Sequence, residues 1–140
     1  MELPWLQRWQ PQLLAILRIV TGLLFLEHGM MKLFHFPAAQ MPGPLPTLLV
    51  VAAVIELVAG ALVTIGLFTR LAAFIASGEM AVAYFMGHFP KSPWPGINMG
   101  DAAILFCFIF LMFVATGPGA WSLDSVLRKR IPEEVGYRAH

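Results

Sequence analysis

Hydrophobic residues fall into four long blocks, separated by short segments rich in proline, glycine and charge. The blocks run over about 13–34, 47–67, 71–87 and 100–116. A bilayer core of about 30 Å takes roughly 20 residues of helix, so each block is read as a membrane span, the last being the shortest. Chain-breaking chemistry bounds them. Pro37, Pro42, Gly43, Pro44 and Pro46 follow the first block, Gly66 ends the second, and three prolines lie between His88 and Asn98. Gly117-Pro118-Gly119 stops the fourth, because proline lacks the N–H that would continue a helix and glycine favours the cap that ends one. The pattern predicts an all-α membrane protein, a four-transmembrane-helix bundle in a single domain over 1–140, with a polar tail over 122–140.

Composition sharpens this picture. The chain is 59% hydrophobic and 12% charged, against about 25% charged in an ordinary soluble domain. The lipid bilayer is therefore its first partner. A net charge of +1, with no basic run beyond Arg128-Lys129-Arg130, argues against a nucleic-acid partner. One cysteine, Cys107, excludes an intramolecular disulfide, and the four histidines lack the spacing of a transition-metal site. Arg18 interrupts the first block and no small-residue cleavage site precedes Glu27-His28, so a removable signal peptide is not expected. Trp5, Trp9 and Trp121 suit the headgroup level. With four spans, Arg8, Arg18, Arg70, Arg128, Lys129, Arg130 and Arg138 share one side, and only Lys32 and Lys91 take the other. The positive-inside rule then places both termini in the cytoplasm.

The candidate chemistry lies in the ionisable groups within the blocks. A charge near a span's centre costs roughly 2.5 to 3.5 kcal/mol on insertion scales, so each needs a partner, water or a purpose. Glu27, His28, Lys32, Glu56, Glu79, His88, Asn98 and Asp101 all fall in the half away from the termini, which predicts a polar pocket there. At 100° per residue, Arg18, Gly22, Phe25, Gly29 and Lys32 form one stripe, whereas Glu27 points nearly opposite and is a candidate partner contact. His28 and Lys32, four residues apart, either bind an anion or a quinone carbonyl together or reach the headgroups. Glu56 and Glu79 sit near mid-span, with Arg18 as a candidate counterion; the acids either lock the bundle or line a pocket that exchanges protons. Asn98 or Asp101 is placed to cap the fourth helix. Small residues, Ala52, Ala53, Ala59 and Gly60 on the second block and Ala72, Ala76 and Ala83 on the third, predict close helix contact.

The string Arg18, Gly22-Leu-Leu-Phe-Leu-Glu-His28-Gly29 and Lys32-Leu33, followed by Glu56-x-x-x-Gly60 and Gly66-Leu67-Phe68-Thr69-Arg70, resembles the DoxX family of small bacterial inner-membrane proteins. His88-Phe89-Pro90, Asn98-x-Gly100-Asp101 and Gly117-Pro118-Gly119-Ala120-Trp121-Ser122-Leu123-Asp124 extend the likeness over almost the whole chain. Asp101 departs from it, the family having Glu there more often. The resemblance implies a four-helix inner-membrane protein whose relatives are associated with thiosulfate:quinone oxidoreductase and with complexes that manage thiol and oxidative stress. It raises a redox or stress-protection subunit that binds a quinone or small polar ligand through Arg18, His28, Lys32, Glu56, Glu79 and Asp101, beside a membrane redox partner protein. Two rivals share these residues: a homo-oligomeric transporter or channel for protons or small solutes, and a scaffold that docks through Glu27. Whether the chain is an enzyme is left open by its residues.

Overall fold

The computed structural model describes residues 3–130, which contain helices and no strand. In order these are α1 (Pro4–Gln7), α2 (Gln10–Leu33), α3 (Thr47–Ile65), α4 (Thr69–Ala83) continued by a π-turn (Tyr84–His88), α5 (Pro95–Asn98), α6 (Asp101–Thr116) and α7 (Leu123–Arg130). The four predicted helices are α2, α3, α4 and α6, and their ends shift for local reasons. α2 starts earlier, at Gln10, since Pro11 in the first turn gives up an N–H that has no intrahelical partner there. α3 stops at Ile65 because Gly66, at φ 71°, turns left-handed and lets Leu67 N–H donate back to Leu62 O at 2.9 Å. Part of the expected polar tail is helical, as α7. The rest of that tail, 131–140 with Arg138, lies outside the described residues, as do Met1 and Glu2.

α2 and α3 are long and apolar enough to cross a membrane. α6 is apolar but has 16 residues, about 24 Å at 1.5 Å per residue, and α4 gains length only through its π-turn. α2 packs most extensively on α3, and α4 on α6. The α2–α3 contact is backbone to backbone: a Cβ on Gly60 would lie 2.8 Å from Leu26 N, and one on Gly29 2.8 Å from Ala53 O. Ala53, Ala59 and Gly60, and on α4 Ala72, Ala73 and Ala76, are buried, in keeping with the small-residue faces. Phe25, Val63, Phe110 and Phe113 fill the centre, and Ser77 Oγ donates to Cys107 O at 2.8 Å to stitch α4 to α6.

Arg18 holds together the end of the bundle that carries α7. Fully buried, it donates from Nε to Pro118 O (2.8 Å), from Nη1 to Val63 O (2.8 Å) and Thr64 O (2.6 Å), and from Nη2 to Ala120 O (3.3 Å) and Trp121 O (2.9 Å). A guanidinium has five N–H donors, and each finds a carbonyl. The expectation that Arg18 partners Glu56 and Glu79 is thus corrected: its charge meets carbonyls at the negative end of α3 and in the turn after α6. Arg70 repeats the device, donating to Val114 O and Ala115 O at the end of α6.

Asp124 completes this end. Its carboxylate accepts from Phe68 N–H (2.8 Å) and Thr69 N–H (2.9 Å), the orphan donors that open α4, and its own N–H donates to Gly66 O (2.8 Å). Burial opposes ionisation of Asp124, but the hydrogen bonds from Thr69 and Phe68 and the field of Arg18 outweigh it and hold the carboxyl below its ordinary value. The Gly66-to-Arg70 motif is therefore the socket into which α7 docks.

Candidate functional site

The opposite end of the bundle gathers polar residues of the spans. A cavity of about 250 Å³ lies among α2, α3, α4 and α6, with His28, Lys32, Gln40, Glu56, Glu79 and His88 as its polar lining and Phe25, Met80 and Phe106 among its walls. Helical spacing explains the convergence. His28 and Lys32 are one turn apart on α2, Ala52 and Glu56 on α3, and Glu79 and Ala83 on α4. In a regular helix His88, nine residues beyond Glu79, would face about half a turn away; the widened turn at Tyr84–His88, closed by Phe89 N–H to Tyr84 O at 2.9 Å, alters that register.

Lys32 Nζ lies 2.5 Å from Glu56 Oε1, with side-chain exposures of 12% and 1%. Lys32 therefore bridges α2 to α3, which corrects the reading in which it reaches the headgroups. The second oxygens of both acids, Glu56 Oε2 and Glu79 Oε2, are buried without a hydrogen-bond partner. His28 Nδ1 lies 2.7 Å from Leu24 O and His88 Nδ1 3.0 Å from Asn98 O. A carbonyl only accepts, so each Nδ1 is the donor in these contacts, which leaves Nε2 as the other polar atom of each ring. Two carboxylate oxygens in the lining thus lack a donor, while Lys32 and Gln40 bring donors of their own.

Buried Asn98 shapes the segment beneath. Its Nδ2 donates to Ser92 O (2.8 Å) and Tyr84 OH (3.4 Å), and its Oδ1 accepts from Gly100 N–H (2.8 Å). It does not cap α6 with its side chain, and neither does Asp101: Gly100 is the cap residue, and Asp101 stands exposed in the first turn, away from the cavity lining. Glu27 is half-buried, is absent from the lining, and makes no side-chain hydrogen bond or ion pair among the described residues. Of the predicted residues the structure thus joins His28, Lys32, Glu56 and Glu79, and sets Arg18, Asp101 and Glu27 apart. His88, one of the residues whose depth predicts the pocket though not named as a ligand contact, joins the lining, and so does Gln40, which the sequence does not single out. His88 carried a signal, a polar residue at the depth of the others; Gln40, in a proline-rich loop, carried none.

Comparisons with known proteins bear on the family of the chain. The DoxX family profile matches residues 13–89. A protein of Haemophilus influenzae described only as uncharacterized is 42% identical over 131 residues, covering 89% of this chain and 98% of the relative. An uncharacterized membrane protein of Mycobacterium tuberculosis is 33% identical, covering 86% of this chain and 84% of its own. The inner membrane protein YphA of Escherichia coli is 30% identical, with coverages of 82% and 90%. No solved structure matches. The matched segment holds Arg18, His28, Lys32, Glu56, Glu79 and His88, and the chain belongs to the DoxX family of membrane proteins.

Proposed function

We propose that this DoxX protein is a four-span inner-membrane subunit of a redox or stress-protection system that binds the polar head of a hydrogen-bond-donating ligand in the cavity at Lys32, Glu56 and Glu79. One observation carries the reading: two buried carboxylate oxygens, Glu56 Oε2 and Glu79 Oε2, lack donors beside a cavity with room for a small ring. A buried acceptor without a donor costs about 1–3 kcal/mol, more when charged, and a ligand hydroxyl removes that cost. Among quinoid ligands, a quinol brings two hydroxyl donors, whereas a quinone offers carbonyls that only Lys32 and Gln40 can satisfy. Glu79, which has no cation of its own, is the group that exchanges a proton with such a ligand. The charge asymmetry of the loops supports cytoplasmic termini and a site in the outer half of the membrane.

A transport path has less support, because at the far end Arg18, itself fully buried, ties α2 to the end of α3 and to the turn after α6.

The test uses tetramethylhydroquinone, a quinol without a tail, and its quinone, titrated against the full chain in nanodiscs. The quinol should bind saturably and more tightly than the quinone. Glu79→Leu should weaken it about 10- to 100-fold, the loss of one hydrogen bond to a charged group. Equal binding of the two forms, or binding untouched by Glu79→Leu, would sink the reading.

A further inference from the structure

The cavity is continuous with the outer face of the bundle. A larger groove of about 700 Å³ shares Lys32, Glu79 and His88 with it and runs out between α3 and α4 past Val51, Ile75 and Val82. Beyond Ile55 and Ile75 it meets a further hollow of about 310 Å³ along the same seam, walled by Val58, Leu62 and Leu71 and lined by apolar atoms alone. The seam is thus polar at one end and hydrocarbon along the rest. Ala83 lies twelve positions along α4 from Leu71, about 18 Å at 1.5 Å per residue.

Two glycines bear on what the seam is for. Gly22, Gly29 and Gly60 are explained by packing, since a Cβ on any of them would strike the facing helix. Gly78 and Gly87 are not. Both line the groove, and a Cβ on either would meet nothing within 4 Å. A glycine inside a helix is unfavourable relative to alanine, so one that no neighbour requires points to the space beside it. At Gly78 that space is the groove.

We propose that the α3–α4 seam is a tail-binding groove for a membrane-dissolved, single-chain amphiphile, which enters sideways from the bilayer and places a hydroxyl or amine head on Glu79. The inference rests on the cavity binding a donor-bearing head and adds the ligand's class and route. Complementarity selects this occupant. The head end presents unpartnered carboxylate oxygens, which a donor satisfies and the anionic phosphate of a bilayer phospholipid does not. The hydrocarbon end gives one chain a continuous apolar wall. Gly78 and Gly87 then act as specificity determinants by keeping that wall clear.

The experiment is photolabelling of the full chain in phosphatidylcholine nanodiscs, with labelled peptides mapped by mass spectrometry. The probes are hexadecanol carrying a mid-chain diazirine and a phosphatidylcholine carrying the same group. The alcohol should concentrate on the peptides of Val51, Ile75 and Val82, well above the lipid-facing Leu105, Phe108 and Met112 of α6. Gly78→Leu fills open space and improves helix propensity, so the variant folds, and it should lower groove labelling about tenfold, the equivalent of two displaced methylenes. Glu79→Leu should lower it as well. Labelling spread evenly over α3, α4 and α6, equal labelling of the groove by the phospholipid probe, or labelling indifferent to Gly78→Leu overturns the inference. If tetramethylhydroquinone still binds in that case, the tail groove fails and the head site stands; if it does not, both fail.

Discussion

Glu56 and Glu79 line one cavity, but only Glu56 has a cation. Lys32 reaches Glu56 Oε1 at 2.5 Å, and no second ion pair exists among the described residues. The cluster therefore holds one carboxylate more than its ammonium groups, with Oε2 of each acid buried.

The first prediction follows from that pair. Removing one partner of a buried ion pair strands the other and costs about 3–5 kcal/mol, whereas replacing both with apolar groups of similar volume is often neutral or stabilising. Glu56→Leu should strongly destabilise the protein in bicelles, and Lys32→Met combined with Glu56→Leu should recover most of the loss. Thermal unfolding of the two variants decides it; a double variant no better than the single one would show that the pair is not coupled.

Arg18 yields a second. Arg18→Lys keeps the charge but leaves three donors for five carbonyls, and each orphaned buried carbonyl costs about 1–3 kcal/mol. The variant should expose the turn at 117–122 to protease while α2 and α3 stay resistant. Unchanged cleavage kinetics would refute this account of the arginine.

Glycines give a third, through opposite signs. Gly60→Leu forces a side chain into the backbone of α2 at Leu26 and should destabilise by at least the roughly 1–3 kcal/mol of an overpacked contact. Gly78→Leu enters open space and should stabilise by up to about 1 kcal/mol through helix propensity. Chemical denaturation in mixed micelles measures both.

Asp124 sets a fourth, in pH. Its folded-state pKa lies below the ordinary 3.8, so folding favours the carboxylate. The resulting stabilisation is complete above the unfolded value, about pH 4, and is lost as pH falls through the lower folded value. Protection of α7 amides, corrected for intrinsic exchange, should hold at neutral pH and fall once the pH is taken below the ordinary carboxylate value. Asp124→Asn should weaken protection at neutral pH and remove the acid step. A step that persists in the variant would assign it to another group.

Hydrophobic periodicity made the helices legible, because apolar runs bounded by Gly and Pro leave few alternatives. It also placed the stripe on α2 correctly: Arg18, Gly22, Phe25 and Gly29 are all buried, with Lys32 mostly so. What periodicity does not encode is a partner. Arg18 took carbonyls, and a carbonyl belongs to every residue, so Val63, Thr64 and Pro118 carried no signal. Lys32 took Glu56 in place of the headgroups because α2 and α3 approach through glycines, a distance that depth counting does not supply. α7 was hidden by its shortness and charge: Leu123, Val126 and Leu127 fall at helical spacing, but over only 8 residues and among charged neighbours.

The acceptors of Arg18 are far from it along the chain, 45 and 46 residues away for Val63 and Thr64, and 100 to 103 for Pro118, Ala120 and Trp121. During synthesis, then, the arginine of the first long helix emerges with none of these acceptors yet made. α3 provides two, and the remainder arrive only after α6 has left the ribosome. Completion of this one side chain's shell thus reports that all four long helices have been made and that the turn after α6 has come back to α2.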